Sequence, residues 1–245
     1  MRCTCCTQPF LTKAITSHTL PSLDYPTFYA HFNAPIAELD CGQYCAPHNP
    51  TGAPFCCDTR HAVPTVYEDE WQYLQANTDL WHPWQGRSAA ETRRVRDETP
   101  DNLLLTECKG YQLCQRSFRA ITCRAFPFFP YITRDDWFIG MTYYWQFEYA
   151  CWVISNLQVV TPQYRAEFFS AFEEIFDRIP GEREGYRALS SSMRRVFGRW
   201  KRSIPLLHRN GNFYKITPRN GRMRRVEAEE MPKLGPYKVG NKLQS

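Results

Sequence analysis

Residues 161–226 read TPQYRAEFFSAFEEIFDRIPGEREGYRALSSSMRRVFGRWKRSIPLLHRNGNFYKITPRNGRMRRV, and within them the spacing of apolar residues changes period. Thr161 followed by Pro162 is an N-cap with proline at the first helical position, where a missing N–H is no loss. Tyr164, Phe168, Phe169, Phe172, Ile175 and Phe176 then recur at helical spacing as far as Arg178, and Pro180-Gly181 stops the pattern. A second helix is expected over 182–202, with Tyr186, Leu189, Met193, Val196, Phe197 and Trp200 on one stripe. Both stripes read as core packing. Beyond Pro205 the runs shorten: 206–209, 213–217 and 223–226 are strand candidates joined at Asn210-Gly211 and Asn220-Gly221. Asn-Gly favours a two-residue type I′ turn, in which both positions need positive φ. Two helices followed by a three-stranded meander predict an α+β fold.

Working outward, a short helix is expected around 22–30 and an irregular loop over 40–58, where Gly42, Pro47, Pro50, Gly52 and Pro54 separate four cysteines. Residues 65–77 read as a helix with Thr65 as N-cap, Glu68 closing a capping box, and Val66, Tyr67, Trp71 and Leu74 on its apolar face. Residues 78–102 read as polar, with the charged run 91–98 as an exposed excursion. Residues 102–106 read as a strand, 126–131 as a segment extended by its prolines, and 137–145 as strand-like with helix as the alternative. The expected organisation is a flexible lead-in over 1–20, a cysteine-cluster domain over 21–180, and a basic helix plus β-hairpin appendage over 181–245. The last fifteen residues are expected to fray.

Composition narrows the class. Hydrophobic residues at 43% and aromatics at 15% supply a core, which sets the chain apart from disordered sequences. No run approaches the roughly 18–20 apolar residues that span a bilayer. The N-terminal MRCTCCTQPFLTK lacks an apolar core leading to a small-residue cleavage site. A cytoplasmic protein without a membrane span is therefore expected. Charge is polarised: residues 187–245 hold 15 Lys and Arg against 3 Glu, a net of +12, leaving −7 on the rest. Such asymmetry suggests an anionic partner such as nucleic acid, or a basic surface resting on the protein's own acidic body.

The 11 cysteines are an odd number in a chain with no export signal, which favours metal binding or catalysis over disulfides. Seven form two groups: Cys41, Cys45, Cys56 and Cys57, then Cys108, Cys114 and Cys123. Thiolate sulfur suits zinc, Cu(I) and iron–sulfur clusters, and a closed site takes four ligands. Seven thiols exceed one such site, and the adjacent Cys56 and Cys57 could serve different metals. The alternative is a set of small buried hydrophobes. Cys151, in the apolar YACWV, reads as core, and Cys3, Cys5 and Cys6 as a weak terminal chelate. His48 and His61 flank the first group as ligands or bystanders. Arg124 either offsets thiolate charge or forms a surface ion pair, and Phe126, Phe128 and Phe129 read as core.

The stretch Cys108-KGYQL-Cys114-QRSFRAIT-Cys123-Arg124-Ala125-Phe126-Pro127, preceded by CGQYCAPHNPTGAPFCC, resembles the YkgJ-like cysteine-cluster proteins, described as zinc- or iron-chelating domains. Their hallmark is a C-x2-C-x2-C-C-like loop followed by C…C…C-R-x-F-P; here the first loop is longer. The resemblance covers roughly residues 40–131 and implies bound zinc or an iron–sulfur cluster. Flagellin lysine-N-methylases look similar across the same motif, which implies methyl transfer as an alternative. The chain has no G-x-G-x-x-G loop and no C-x3-C-x2-C triplet. A third reading is a nucleic-acid-binding module using 194–202 and 219–225, where RNGRMRR adjoins Phe213 and Tyr214.

Overall fold

The computed structural model describes residues 23–238. The expected lead-in, with Cys3, Cys5 and Cys6, lies outside them. The fold is α+β, with two antiparallel sheets. The larger runs in the order β4 (Phe128–Ile132), β5 (Phe138–Tyr143), β6 (Ile204–His208), β7 (Phe213–Ile216), β8 (Met223–Val226). Helix α1 (Tyr25–His31) and helix α6 (Pro162–Arg178) lie on one side of it, where Phe28, Phe32, Tyr164, Phe168 and Phe172 meet Phe128, Ile132, Met141 and Leu207. On the other side helix α7 (Glu182–Arg199) sets Met193 and Phe197 against Phe129, Tyr131, Ile204, Leu206 and Ile216. Side chains alternate across a strand, so a strand covered on both faces has no polar face. That is why FFPYI is buried throughout.

Strand β4 is an edge, which suits Pro130 because an edge needs no outward N–H there. Helix α7 covers that edge with polar side chains. Ser190 Oγ accepts from Ile132 N at 3.0 Å, and Arg194 donates to Ile132 O at 2.9 Å. Ser190 and Arg194 are accordingly buried. Strand β5 meets β6 at Gly140, where a Cβ would stand 2.7 Å from Leu207 O, so only glycine fits. The expected boundary near residue 181 falls within the sequence span of this sheet, since β6 pairs with β5 as well as with β7.

The smaller sheet places β3 (Leu103–Cys108) between β1 (Thr65–Tyr67) and β2 (Trp81–Pro83). Here the helix expected over 65–77 is shorter. Its first three residues pair with β3, burying Val66, and helix α3 (Glu68–Asn77) begins after them. Glu70, not Glu68, accepts from the N-cap Tyr67 N–H. Residues 78–102 are not uniformly exposed: Leu80, Trp81 and Trp84 are buried around β2, whereas the charged run 91–98 lies largely at the surface on a helix, α4 (Ala89–Asp97), capped by Ser88 Oγ accepting from Glu91 N.

The Asn-Gly pairs mark turns, but not of type I′. Only Gly211 (φ 85) and Gly221 (φ 73) take positive φ; Asn210 and Asn220 instead accept from Asn212 N and Arg222 N through their side chains. Trp200, expected on the α7 stripe, is 46% exposed beyond the helix end, with Arg202 over its ring. The tail is packed as far as it is described, because Met231, Leu234 and Tyr237 are buried. Part of the basic segment pairs with the protein's own carboxylates: Arg202 with buried Glu148, and Arg209 with Glu173 at the surface. Among the described residues no helix is long and apolar enough to cross a membrane.

Candidate metal centre

Each cysteine arrives on a short irregular element held by a few directional bonds. Cys41 precedes helix α2 (Gly42–Cys45), whose last residue is Cys45, with its Sγ 3.6 Å from Gly42 O. Cys56 and Cys57 end a 3-10 turn, Phe55–Cys57. That turn is braced by buried Asp58, which accepts from Asn49 Nδ2 (3.0 Å), Thr51 Oγ1 (2.8 Å) and Arg60 Nη2 (2.6 Å). The Arg60 guanidinium, with Asn49 and Thr51, holds the Asp58 carboxyl well below the usual carboxylate range. Cys108 ends β3 opposite Trp81, and Cys114 follows the turn Tyr111–Leu113. Cys123 sits in helix α5 (Ile121–Ala125).

Helix α5 is pinned at both ends by buried charge. At its start, Glu70 Oε1 accepts from Ile121 N (2.7 Å) and Tyr29 Oη (2.6 Å). Burial pushes the Glu70 carboxyl up to about 7, against the pull of those hydrogen bonds. Arg124 resolves into neither of its two expected roles. It is 6% exposed and stacks on the Tyr29 ring, 4.3 Å from the centroid. Its guanidinium donates to Phe32 O (2.6 Å), Arg119 O (2.7 Å), Ser117 O (2.8 Å) and Asn33 Oδ1 (3.1 Å). It is a knot between α1, the 116–119 turn and α5. Phe128 and Phe129 are core, and Phe126 is half-buried against Phe147.

The arginine that faces sulfur is Arg119, which no motif singled out. Its Nε donates to Cys114 Sγ at 3.1 Å. Burial opposes its charge, but Cys114, then Cys57 and Cys123, raise its pKa on balance. All eight described cysteines are free thiols; Cys45 is buried and the others half-buried. Burial pushes the Cys41 thiol up to about 11 and that of Cys151 up to about 12, and raises Cys45, Cys108 and Cys123 as well. Cys57 moves down, because the Cys56 thiol hydrogen-bonds its sulfur at 3.8 Å and Arg119 lies near.

The seven cysteines expected as ligands thus share one region, and Cys151, expected as core, adjoins it: its thiol is opposed by Cys41 and Cys45. His48 packs edge-on to Tyr237, and His61 edge-on to Phe55. Among the described residues no group of three or more His, Cys, Asp or Glu side chains stands positioned to hold a metal ion. The donor chemistry nonetheless fits a thiophilic metal: several sulfurs on bendable backbone, with a fixed guanidinium to offset thiolate charge. Beside Cys123 lies a cavity of about 30 Å3 lined also by Asn33, Arg116, Arg119 and Arg124. No protein-family model, curated protein or solved structure matches this chain.

Proposed function

We propose that the chain is a metal-binding cysteine-cluster protein of the YkgJ-like type, taking zinc or an iron–sulfur cluster. The observation that supports this is the gathering of eight free thiols, from six separate segments, in one region that includes Arg119. Coordination supplies a positive charge that turns buried neutral thiols into thiolates, and it ties irregular loops that have little apolar area of their own. Arg119 sets a positive charge against this region through its hydrogen bond to Cys114 Sγ. Arg124 and Glu70 keep helix α5, and with it Cys123, in place. The cavity beside Cys123, about 30 Å3, has room for about one water molecule. It is too small for a nucleotide-sized methyl donor, so the methyl-transfer alternative gains no support from it.

The test is elemental analysis with a visible spectrum on protein purified without oxygen. Iron with sulfide and a brown colour identifies a cluster; stoichiometric zinc and no colour identifies a zinc site. Cys123→Ser is expected to lose metal and to melt at lower temperature, because metal binding is coupled to folding. Unchanged metal content and melting in that variant would overturn the assignment.

A further inference from the structure

We infer that the outer face of helix α7, with the two loops at its ends, binds single-stranded nucleic acid, its arginines meeting phosphates and its exposed tryptophans stacking on bases. This stands independently of the metal-binding reading above.

Helix α7 spends its inner side on Met193 and Phe197 against the sheet, and on Ser190 and Arg194 against the edge of β4. Outside it leaves Arg187, Ser191, Arg195 and Arg199, four apart and so on one side of the helix. The three arginines are exposed. Arg195 is fixed along the row, donating to Ser191 Oγ at 3.1 Å and Ser192 Oγ at 2.9 Å. The helix carries carboxylates only in its first turn, at Glu182 and Glu184. Like charges at four-residue spacing, as at Arg195 and Arg199, cost helix stability, and an anionic partner removes that cost.

Two loops extend the row. At the helix end, a Cβ on Gly198 would stand 3.8 Å from Pro218, so the turn between β7 and β8 lies there. That turn carries exposed Arg219 and Arg222, and the helix end carries exposed Trp200 and Lys201. At the helix start, Arg183 donates to Asp136 Oδ2 at 3.1 Å and fixes the hairpin 133–137. Arg134 of that hairpin donates to Arg219 O at 2.9 Å, joining the hairpin to the turn. Trp137 on the hairpin is 68% exposed and Trp200 46%, and tryptophan is seldom left so bare. The 18 residues of α7 span about 27 Å. At roughly 3.4 Å per stacked nucleotide that is about eight nucleotides, within the usual site sizes of about 4–16.

This charge has no counterpart in the chain. The arginines of the basic segment that pair with carboxylates are Arg202, Arg209 and Arg224. Among the described residues Arg187, Arg195, Arg199, Lys201, Arg219 and Arg222 form no ion pair. The carboxylates of this surface lie at its start: Glu184, Asp135 and Asp136, the last held by Arg183. Phe213 and Tyr214, the aromatics expected to serve, are half-buried: Arg165 covers the Phe213 ring, and Tyr214 Oη accepts from Asn210. Bare tryptophan rings among arginines match an unpaired strand, whose bases have free faces to stack. A duplex hides those faces, and an anionic lipid surface calls for a broad apolar face that a row of Arg and Ser lacks.

The experiment uses the full chain as purified and reads fluorescence anisotropy at low salt. The probes are labelled oligouridine and oligothymidine of about 12 nucleotides, a duplex of the same length, and vesicles of phosphatidylserine and phosphatidylcholine. Both single strands are expected to bind more tightly than the duplex, and the tighter of the two identifies RNA or DNA. Arg195→Gln with Arg199→Gln should weaken binding and flatten the log–log salt slope by about 1.4. Trp137→Ala and Trp200→Ala should each weaken single-strand binding roughly tenfold and leave the duplex unchanged. Trp200→Phe, which keeps a ring face, should recover most of the loss. These side chains are exposed, so melting temperatures should hold; if Trp200→Ala melts early because Arg202 lies over that ring, Trp137→Ala decides. No single-strand binding at low salt overturns the inference. So does equal affinity for strand and duplex with both tryptophan variants unaffected, which reduces the strip to bare charge. Preference for vesicles over either strand overturns it in favour of a membrane surface.

Discussion

The sheet with its covering helices and the cysteine region are built on different physics. Around β4 to β8, Phe128, Phe129, Ile132, Met141, Phe197 and Leu206 are fully buried, and the shape follows from periodic apolar faces pressed together. Around the cysteines the elements are short turns and a five-residue helix, and position is set by Asp58, Glu70 and Arg124. Non-directional burial tolerates small errors, whereas a hydrogen-bonded buried charge fails when one partner goes. The cysteine region should therefore be the more fragile of the two, and the more dependent on what its thiols bind.

The strongest way to break that contrast is Arg124→Met. It strips the donor from carbonyls of α1 and the 116–119 turn, and a loss on the order of 5 kcal/mol is expected from urea unfolding. Arg124→Lys should recover little, because one ammonium cannot reach the same fan of acceptors. A loss below about 1 kcal/mol would mean that the loops are held by something else. Next comes Phe197→Ala, which opens a cavity between α7 and the sheet and is expected to cost about 4 kcal/mol. Metal content per folded chain should stay unchanged in that variant; a fall would show that the two regions are coupled.

The smallest expected effect is a pH dependence carried by Glu70. Burial raises its carboxyl to about 7, so the folded chain holds that proton more tightly than the unfolded chain. Its contribution is fully present below the unfolded value near 4.5 and is lost as pH rises through 7, roughly 3 kcal/mol in all. Glu70→Gln should remove that slope, read as the wild-type minus variant difference in unfolding free energy between pH 4.5 and 7. A difference that stays flat over that range would show that Glu70 is already ionised in the fold.

Legibility in the sequence followed the same division. Helix α6 was readable to its residue, because Thr161-Pro162 and the phenylalanine spacing are local signals. Strand β1 was not, because Val66 pairs with Leu104, some forty residues away, and that pairing overrides a good capping pattern. Asn-Gly located both turns of the meander but not their type, since only the glycine takes positive φ and the asparagine side chain bonds the backbone two residues on. Seven thiols were singled out by spacing. Cys151 was read as core from its apolar chain neighbours; the Tyr44–Trp152 stack and nearby Cys41 and Cys45 place it beside the others. Arg119 was passed over for Arg124, which sits in the motif but faces carbonyls.

Sequence alone determined the α+β class, the two long helices, the meander, and a soft-donor set concentrated in two loops, because periodicity and residue chemistry act over a few positions. Tertiary structure alone decided which arginine meets sulfur, which buried carboxylates brace the loops, and that an eighth cysteine stands beside the other seven. Those depend on segments up to about a hundred residues apart closing on one another, as Arg124 does on Phe32, and no local pattern carries that distance.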